Sequence, residues 1–167
     1  MKPLSSLRKA SSVVLIFLGL MMTFSQTKKH PLERVEELQK TEQKNIVVFL
    51  HTDWCNYCKA MQNATFKDKE VQKILNENFY FADLNGEEKA EIHFAGNVFK
   101  YQPTGVKTGY HQLAVSLGNI AGKVSYPTLV ILNPNNEIIF QYNGFLTAKE
   151  MLEILKKEML NESYFTK

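Results

Sequence analysis

The sequence predicts one α/β domain in which helices flank a central mixed β-sheet. Two apolar runs rich in strand-forming residues, 46–50 and 79–84, are separated by a segment with helical spacing, which favours parallel strands joined by a crossover. Two later runs, 128–132 and 137–142, are joined by the turn 133–136, which favours an antiparallel hairpin. The chain has 167 residues, which suits one domain of ordinary size.

The first predicted helix begins at Pro31, a residue that suits the first helical position. Leu32, Val35 and Leu38 follow at a spacing that places them on one face of the helix. The run 46–50 is apolar without alternation, which is typical of a strand covered on both faces. We therefore expect this strand to be central in the sheet.

A short loop, 51–54, joins this strand to the next predicted helix, so that Cys55 stands at the N-terminus of that helix. Asp68 is suited to cap a second helical piece. The last predicted helix begins at Thr147, another capping residue. The apolar faces of these two helices are predicted to be Val71, Ile74 and Leu75 in the first, and Met151, Leu152, Leu155 and Met159 in the second.

Residues 86–125 form an insertion before the strand 128–132. Within it, 92–94 and 98–101 flank Ala95-Gly96-Asn97, which favours a small hairpin. The stretch 110–117 has apolar residues at helical spacing and is predicted to be a helix.

Residues 1–25 are predicted to be a secretory signal peptide, which leaves 26–167 as the mature domain. Basic residues open the segment, and the apolar run 13–22 follows. Thr23 and Ser25 are small residues at the positions that signal peptidase requires, so we expect cleavage after Ser25. The alternative is a retained anchor, but the apolar run is well short of the roughly 20 residues that span a bilayer. The mature protein is thus expected in the periplasm or otherwise exported, without a membrane span.

The charge of the mature chain gives no support for nucleic-acid binding. The whole chain has 20 basic and 17 acidic residues, and the predicted signal peptide holds three of the basic residues and no acidic residue. Removing those three leaves 17 basic against 17 acidic residues, a formal charge of zero. The basic isoelectric point of the full chain therefore does not indicate a nucleic-acid or membrane-surface partner.

Both cysteines lie in one C-x-x-C motif, Cys55 and Cys58. A disulfide that closes so short a loop removes little entropy from the unfolded chain, so a redox role is the better reason for the pair. The free N–H groups and the dipole at a helix N-terminus favour a thiolate at Cys55, which is predicted to be the nucleophile. Cys58 lies one turn further into the helix and is predicted to be the resolving cysteine.

The order of elements, with a C-x-x-C after the first core strand and an aromatic-Pro-Thr before the hairpin, resembles the thioredoxin superfamily. The chain is most similar to the C-terminal domain of transmembrane thiol-disulfide interchange reductases and to small periplasmic relatives. This similarity covers about residues 30–160 and is carried by Trp54-Cys55-Asn56-Tyr57-Cys58-Lys59, Met61, Thr65-Phe66 and Val71.

The resemblance implies a thioredoxin fold and a substrate-binding segment at 126–128. Pro127 matches the position of the family's cis-proline, and Thr128 follows it at the start of the strand. A cis bond would leave the backbone of Tyr126 free to pair with an extended substrate peptide. Trp54 is expected to pack beside the nucleophile and to shield one of its edges.

Supporting roles in the active site are implied for Asn56, Tyr57 and Lys59. Asn56 and Tyr57 replace the Gly-Pro of cytoplasmic thioredoxins at positions that help to set the stability of each thiol, so the direction of electron flow does not carry over. Lys59 is a solvated helix residue whose charge could assist the thiolate slightly. Phe49 occupies the place of the family's buried acid, six residues before the nucleophile. Asp53, His51 or water remain as alternative proton acceptors for Cys58.

The function that these observations predict is that of an exported protein-disulfide reductase or thiol-disulfide exchange protein. Its partners would be disulfide-containing proteins and, for a reductase, a membrane electron donor, with no cofactor beyond the Cys55–Cys58 pair. One alternative is a redox-inert peptide-binding or chaperone module on the same fold. A metal site is the other, because His51 lies four residues before Cys55, but His30, His93 and His111 are scattered and structural zinc needs four ligands.

Overall fold

The computed structural model describes residues 26–165, so the predicted signal peptide and its cleavage site lie outside the described residues. Five α-helices lie in this part of the chain: α1 (Leu32–Gln39), α2 (Asn56–Asn63), α3 (Lys69–Asn78), α4 (Gln112–Gly118) and α5 (Ala148–Phe165). A 3₁₀ turn, Thr65–Lys67, separates α2 from α3. The strands described are β1 (Asn45–His51), β2 (Phe79–Asn85), β3 (Ile92–Phe94), β4 (Asn97–Phe99), β5 (Tyr101–Pro103), β6 (Gly109–His111), β7 (Thr128–Leu132) and β8 (Ile138–Asn143).

The central sheet has four strands in the order β2-β1-β7-β8. β1 is parallel to β2 and antiparallel to β7, and β7 is antiparallel to β8, so the predicted mixed sheet with a central first strand is confirmed. Phe49 stands opposite Asp83 of β2 and Leu129 of β7. A short parallel bridge between Lys29 and Phe81 adds the N-terminal segment to the outer edge of β2.

Side-chain alternation along β1 builds an apolar core on each face of the sheet. The first core, which we call the α2-face core, includes Val47, Phe49 and both cysteines, with α3 and α5 packed over it. Ile46, Val48 and Leu50 point to the opposite face, where residues of α1 and α4 cover them. Because both faces are covered, β1 is apolar from Ile46 to Leu50.

The predicted helix caps are present. The Asp68 side chain accepts hydrogen bonds from the backbone N–H groups of Glu70 and Val71, at 2.9 and 3.0 Å. At the start of α5, the backbone N–H of Glu150 donates to the Thr147 hydroxyl at 3.3 Å, and the Glu150 carboxylate accepts from the Thr147 N–H at 2.8 Å. These reciprocal bonds form a capping box.

The insertion contains the predicted hairpin, β3–β4, but its second strand ends at Phe99 and not at residue 101. Tyr101 belongs to a second hairpin, β5–β6, that was not predicted. The prediction of a helix from residue 110 was wrong at its start, because Tyr110 belongs to β6 and pairs with Gln102. α4 begins at Gln112, where the His111 ring accepts a hydrogen bond from the backbone N–H of Leu113 at 3.3 Å. None of the helices described between residues 26 and 165 has the length and apolar character needed to cross a membrane.

Candidate active site

Cys55 and Cys58 are joined by a disulfide at the junction between β1 and α2. Cys55 is the N-cap residue of α2, and its sulfur accepts a hydrogen bond from the backbone N–H of Cys58 at 3.1 Å. The backbone N–H of Cys55 donates to the Thr52 carbonyl at 3.2 Å, which closes the loop between the strand and the helix. The sequence therefore places Cys55 where the structure has it, at the start of the helix.

The two sulfurs differ in their surroundings. Both residues belong to the α2-face core, where Cys55 is 5% exposed and Cys58 is 1% exposed. The helix N-terminus presents unpaired N–H groups and a partial positive charge, which favour a thiolate at Cys55 after reduction. The geometry thus fits an attacking sulfur at Cys55 and a resolving sulfur at Cys58.

Two pairs of aromatic rings stand beside the disulfide. One ring of each pair belongs to a residue that is adjacent to a cysteine in the sequence. Trp54 contacts Tyr126 edge-on, with ring centroids 6.2 Å apart and an angle of 82° between the ring planes. Tyr57 lies against Phe145, with centroids 6.4 Å apart. Trp54 and Tyr57 are 64% and 69% exposed, so they are available to a partner.

The segment 126–128 lies against the end of the sheet, next to the aromatic pair of Trp54. The peptide bond between Tyr126 and Pro127 is cis. The Pro127 carbonyl accepts a hydrogen bond from the backbone N–H of Gly144 at 2.9 Å. The Thr128 side chain is buried and its hydroxyl donates to the Ser125 carbonyl at 2.7 Å, so this hydroxyl shapes the segment from inside.

The remaining predicted residues near the motif lie on its solvent side. Asn56 and Lys59 are exposed on α2. Asp53 is also exposed and accepts a hydrogen bond from the Asn85 side chain at 3.2 Å. These three side chains are therefore in contact with solvent and do not pack in the core.

The position of the family's buried acid is filled by an aromatic stack. The Phe49 ring contacts Phe66 edge-on, with ring centroids 4.8 Å apart, and it is stacked on the His51 ring, with centroids 5.6 Å apart. His51 in turn lies 3.6 Å from the carboxylate of Asp83, which also forms an ion pair with Lys29 at 2.5 Å. The carboxylate nearest to Phe49 on this face therefore belongs to Asp83, directly opposite it on the neighbouring strand β2.

Two pKa values near the site are shifted by their surroundings. Burial acts to raise the pKa of Asp83, but hydrogen bonds from His51 and Lys29, with their charges, outweigh burial and lower the pKa to about 2. The pKa of the Tyr126 phenol is raised, first by burial and then by the negative charge of Glu87. Tyr126 is therefore a neutral hydrogen-bonding group at physiological pH.

The structure also bears on the alternative of a metal site at His51 and the cysteine pair. Between residues 26 and 165, His, Cys, Asp and Glu side chains form no group of three or more that could hold a metal ion. His111 is fully buried, with one ring nitrogen 3.2 Å from the Ala90 carbonyl and the other used to cap α4. His93 is exposed on β3.

Sequence analysis missed two residues at the site, Phe145 and Gly86. Phe145 is an exposed aromatic residue in the short loop before Thr147, the cap of α5. An apolar residue in such a loop was the one signal in the sequence that could have pointed to it. Gly86 directly follows β2, and a side chain there would collide with the Tyr126 ring. Neither contact can be deduced from sequence spacing, because both join segments far apart in the chain.

Comparison with known families and structures gives one consistent result. The sequence profile of the thioredoxin-like domain matches residues 32–158. No curated protein sequence matches the chain. The family identified from the sequence is confirmed.

Solved structures of low sequence identity share the fold. A thioredoxin from Thermus thermophilus is 19% identical, with 80% of this chain and 88% of that chain covered and a TM-score of 0.57. A thioredoxin-fold protein from Helicobacter pylori is 18% identical, with 90% and 85% covered and a TM-score of 0.56. A putative disulphide-isomerase from Bacteroides thetaiotaomicron is 24% identical, with 80% and 88% covered and a TM-score of 0.52. The predicted thioredoxin fold is confirmed.

Proposed function

The chain belongs to the family of thioredoxin-like domains, and we propose that it is an exported oxidoreductase that reduces or exchanges disulfides of extracytoplasmic proteins. The observation that carries the proposal is the Cys55–Cys58 disulfide at the N-terminus of α2, with Cys55, the more exposed of the two residues, at the cap. The helix terminus supplies the electrostatic stabilisation that a thiolate nucleophile needs.

The proposed reaction starts from the dithiol. The Cys55 thiolate attacks one sulfur of the substrate disulfide, that S–S bond breaks, and one substrate thiolate leaves and takes up a proton. Cys58 then loses its proton and attacks the Cys55 sulfur of the mixed disulfide, which releases the second substrate thiol. Two electrons pass from the cysteine pair to the substrate, and the pair ends in the disulfide form that the structure shows.

Substrate recognition is proposed to use the segment 126–128. Tyr126 lies beside Trp54, whose own position immediately precedes Cys55. An extended peptide that pairs with the Tyr126 backbone would bring its disulfide past the nucleophile, a form of strand addition. The exposed rings of Trp54 and Tyr57 supply apolar surface for the flanking side chains.

The compartment and the electron donor are also part of the proposal. The apolar, basic-flanked segment 1–25 supports export, and the likeness to thioredoxin folds supports a soluble mature domain. A reductase outside the cytoplasm needs electrons from a membrane protein, since the cysteine pair must be reduced again after each turnover. No cofactor other than this cysteine pair is required by the reaction.

Trapping the mixed disulfide tests the proposal. The Cys58→Ser variant should accumulate covalent adducts with exported proteins that disappear when dithiothreitol is added to the gel sample. The Cys55→Ser variant is the matched control and should form few such adducts, because it lacks the attacking sulfur. The wild-type protein should reduce insulin disulfides in the presence of dithiothreitol. Absence of both adducts and insulin reduction would instead support a redox-inert binding module.

A further inference from the structure

We infer that Gly86 is a positioning residue for the proposed reaction: it lets Tyr126 hold Trp54 beside Cys55, and it joins the insertion to the substrate site. This inference rests on the proposed function, because it concerns how protein substrates reach the same cysteine pair. It assigns a role to the 86–125 insertion through its first residue.

The contact between Gly86 and Tyr126 is too close for any other residue. A Cβ atom built on Gly86 would lie 1.9 Å from the Tyr126 hydroxyl oxygen and 2.3 Å from the adjacent ring carbon. Such distances are far inside van der Waals contact, and a tyrosine ring is rigid, so the whole ring would have to move. Glycine is needed here for space.

Gly86 cannot readily move aside, because both of its backbone polar groups are used. Its N–H donates to the His51 carbonyl at the end of β1, and its carbonyl accepts from the His111 N–H at the end of β6, both at 2.7 Å. His111 is itself fully buried and caps α4. Gly86 is thus fixed between the central sheet on one side and the insertion on the other.

Trp54 is an exposed neighbour of the Tyr126 ring. Tyr126 packs against the apolar cores on both faces of the sheet, where close packing resists displacement. Trp54 is 64% exposed and touches the same ring edge-on. A ring displaced from Gly86 would therefore be accommodated by movement of Trp54, the residue next to the nucleophile.

The two kinds of disulfide substrate should respond differently. A protein disulfide must lie along the Tyr126 segment and pass Trp54, whereas a small aromatic disulfide needs only the Cys55 sulfur. Misplacement by about 1 Å can cost up to about 10²-fold in rate. We expect Gly86→Ala to lower the ratio of the insulin rate to the rate with 5,5′-dithiobis(2-nitrobenzoic acid) by about tenfold.

The single tryptophan of the chain gives an independent readout. Because that residue is Trp54, its emission spectrum in the reduced protein should shift in Gly86→Ala. Gly105→Ala is the matched control: it lies in the β5–β6 turn, where an added Cβ meets only the Thr108 hydroxyl, so it should keep both the ratio and the spectrum. In a Tyr126→Val background, where the ring is gone, adding Gly86→Ala should not lower the ratio of the two rates any further.

The outcomes separate this inference from the proposed function. If the wild type reacts with neither substrate, the proposed function fails. If the wild type reacts with both and a folded Gly86→Ala keeps the ratio and the spectrum, the positioning role is overturned. Should Gly86→Ala not fold, Tyr126→Val must lower the ratio and shift the Trp54 emission, while the control Gly105→Ala keeps both. An unchanged ratio in Tyr126→Val overturns the inference.

Discussion

Asp83 is the side chain at which charge contributes most clearly to stability. Its pKa in the folded protein is about 2, below the ordinary value of 3.8. A lowered pKa in the folded state stabilises the protein above the ordinary pKa, and this contribution is lost as pH falls from about 4 through about 2. The partners responsible are Lys29 and His51, whose side-chain nitrogens lie 2.5 and 3.6 Å from the Asp83 carboxylate.

The Asp83→Asn variant should accordingly be less stable than the wild type at pH 5, by on the order of 2 kcal/mol. The difference in the free energy of unfolding should shrink as the pH is lowered toward 2, where the wild type also loses the carboxylate. Urea denaturation of both proteins at several pH values measures this difference in the free energy of unfolding. Glu77→Gln, on the exposed side of α3, is the control and should show no comparable pH-dependent loss. An Asp83→Asn deficit that persists unchanged at pH 2 would contradict the electrostatic explanation.

Residues of the site could be predicted from sequence only where they are neighbours in the chain. Trp54, Cys55 and Cys58 lie within five consecutive residues, so a strand, a loop and a helix suffice to bring them together. Gly86 and Phe145 reach the site through tertiary packing with Tyr126 and Tyr57. Their roles depend on distances that no local pattern encodes.

At the scale of elements, the cap of α5 shows how few residues define a helix boundary. Thr147 and Glu150 satisfy each other's backbone N–H groups at the start of α5. Removing the Thr147 hydroxyl should therefore lower the free energy of unfolding by about 1 kcal/mol.

We expect Thr147→Ala to lower the free energy of unfolding by about 1 kcal/mol. Thr147→Ser should lower it much less, because serine keeps the oxygen that accepts the hydrogen bond. Chemical denaturation of the two variants beside the wild type measures this. Since the two substitutions both shorten the side chain, equal losses would show that packing, and not the cap, is responsible.

The elements that sequence analysis predicted well have strong local signals. β1 and β7 are continuous apolar runs, and α3 has both a cap and an apolar face. The β5–β6 hairpin has strands of three residues, most of them half-buried or exposed, so it shows no clear alternation. The start of α4 was misplaced because its cap is a histidine, a residue that is uncommon in this role.

At the scale of the whole molecule, stability is expected to be highest in the middle of the sheet. β1 is hydrogen-bonded on both sides, to β2 and β7, and β7 is bonded to β1 and β8. Both strands are buried along almost their whole length. The small β5–β6 sheet contains only its own two strands.

Hydrogen exchange should therefore be slowest at the amides of β1 and β7 and markedly faster in β5–β6. Opening the hairpin breaks few contacts, whereas opening β1 requires disruption of both apolar cores. Mass spectrometry of deuterium uptake on the mature protein gives the order directly. Protection in β5–β6 equal to that in β1 would mean that the insertion unfolds together with the sheet.

The aromatic stack at Phe49 has a consequence for how long the substrate stays attached. Phe49 and Cys58 belong to the same apolar core, and apolar surroundings disfavour a thiolate. In the proposed reaction Cys58 would attack from inside this core, one turn away from the helix N-terminus that favours a thiolate at Cys55, so the mixed disulfide would persist after the first attack. During that interval another thiol of the bound protein would be able to displace Cys55, and the proposed site would then rearrange a disulfide as well as reduce one.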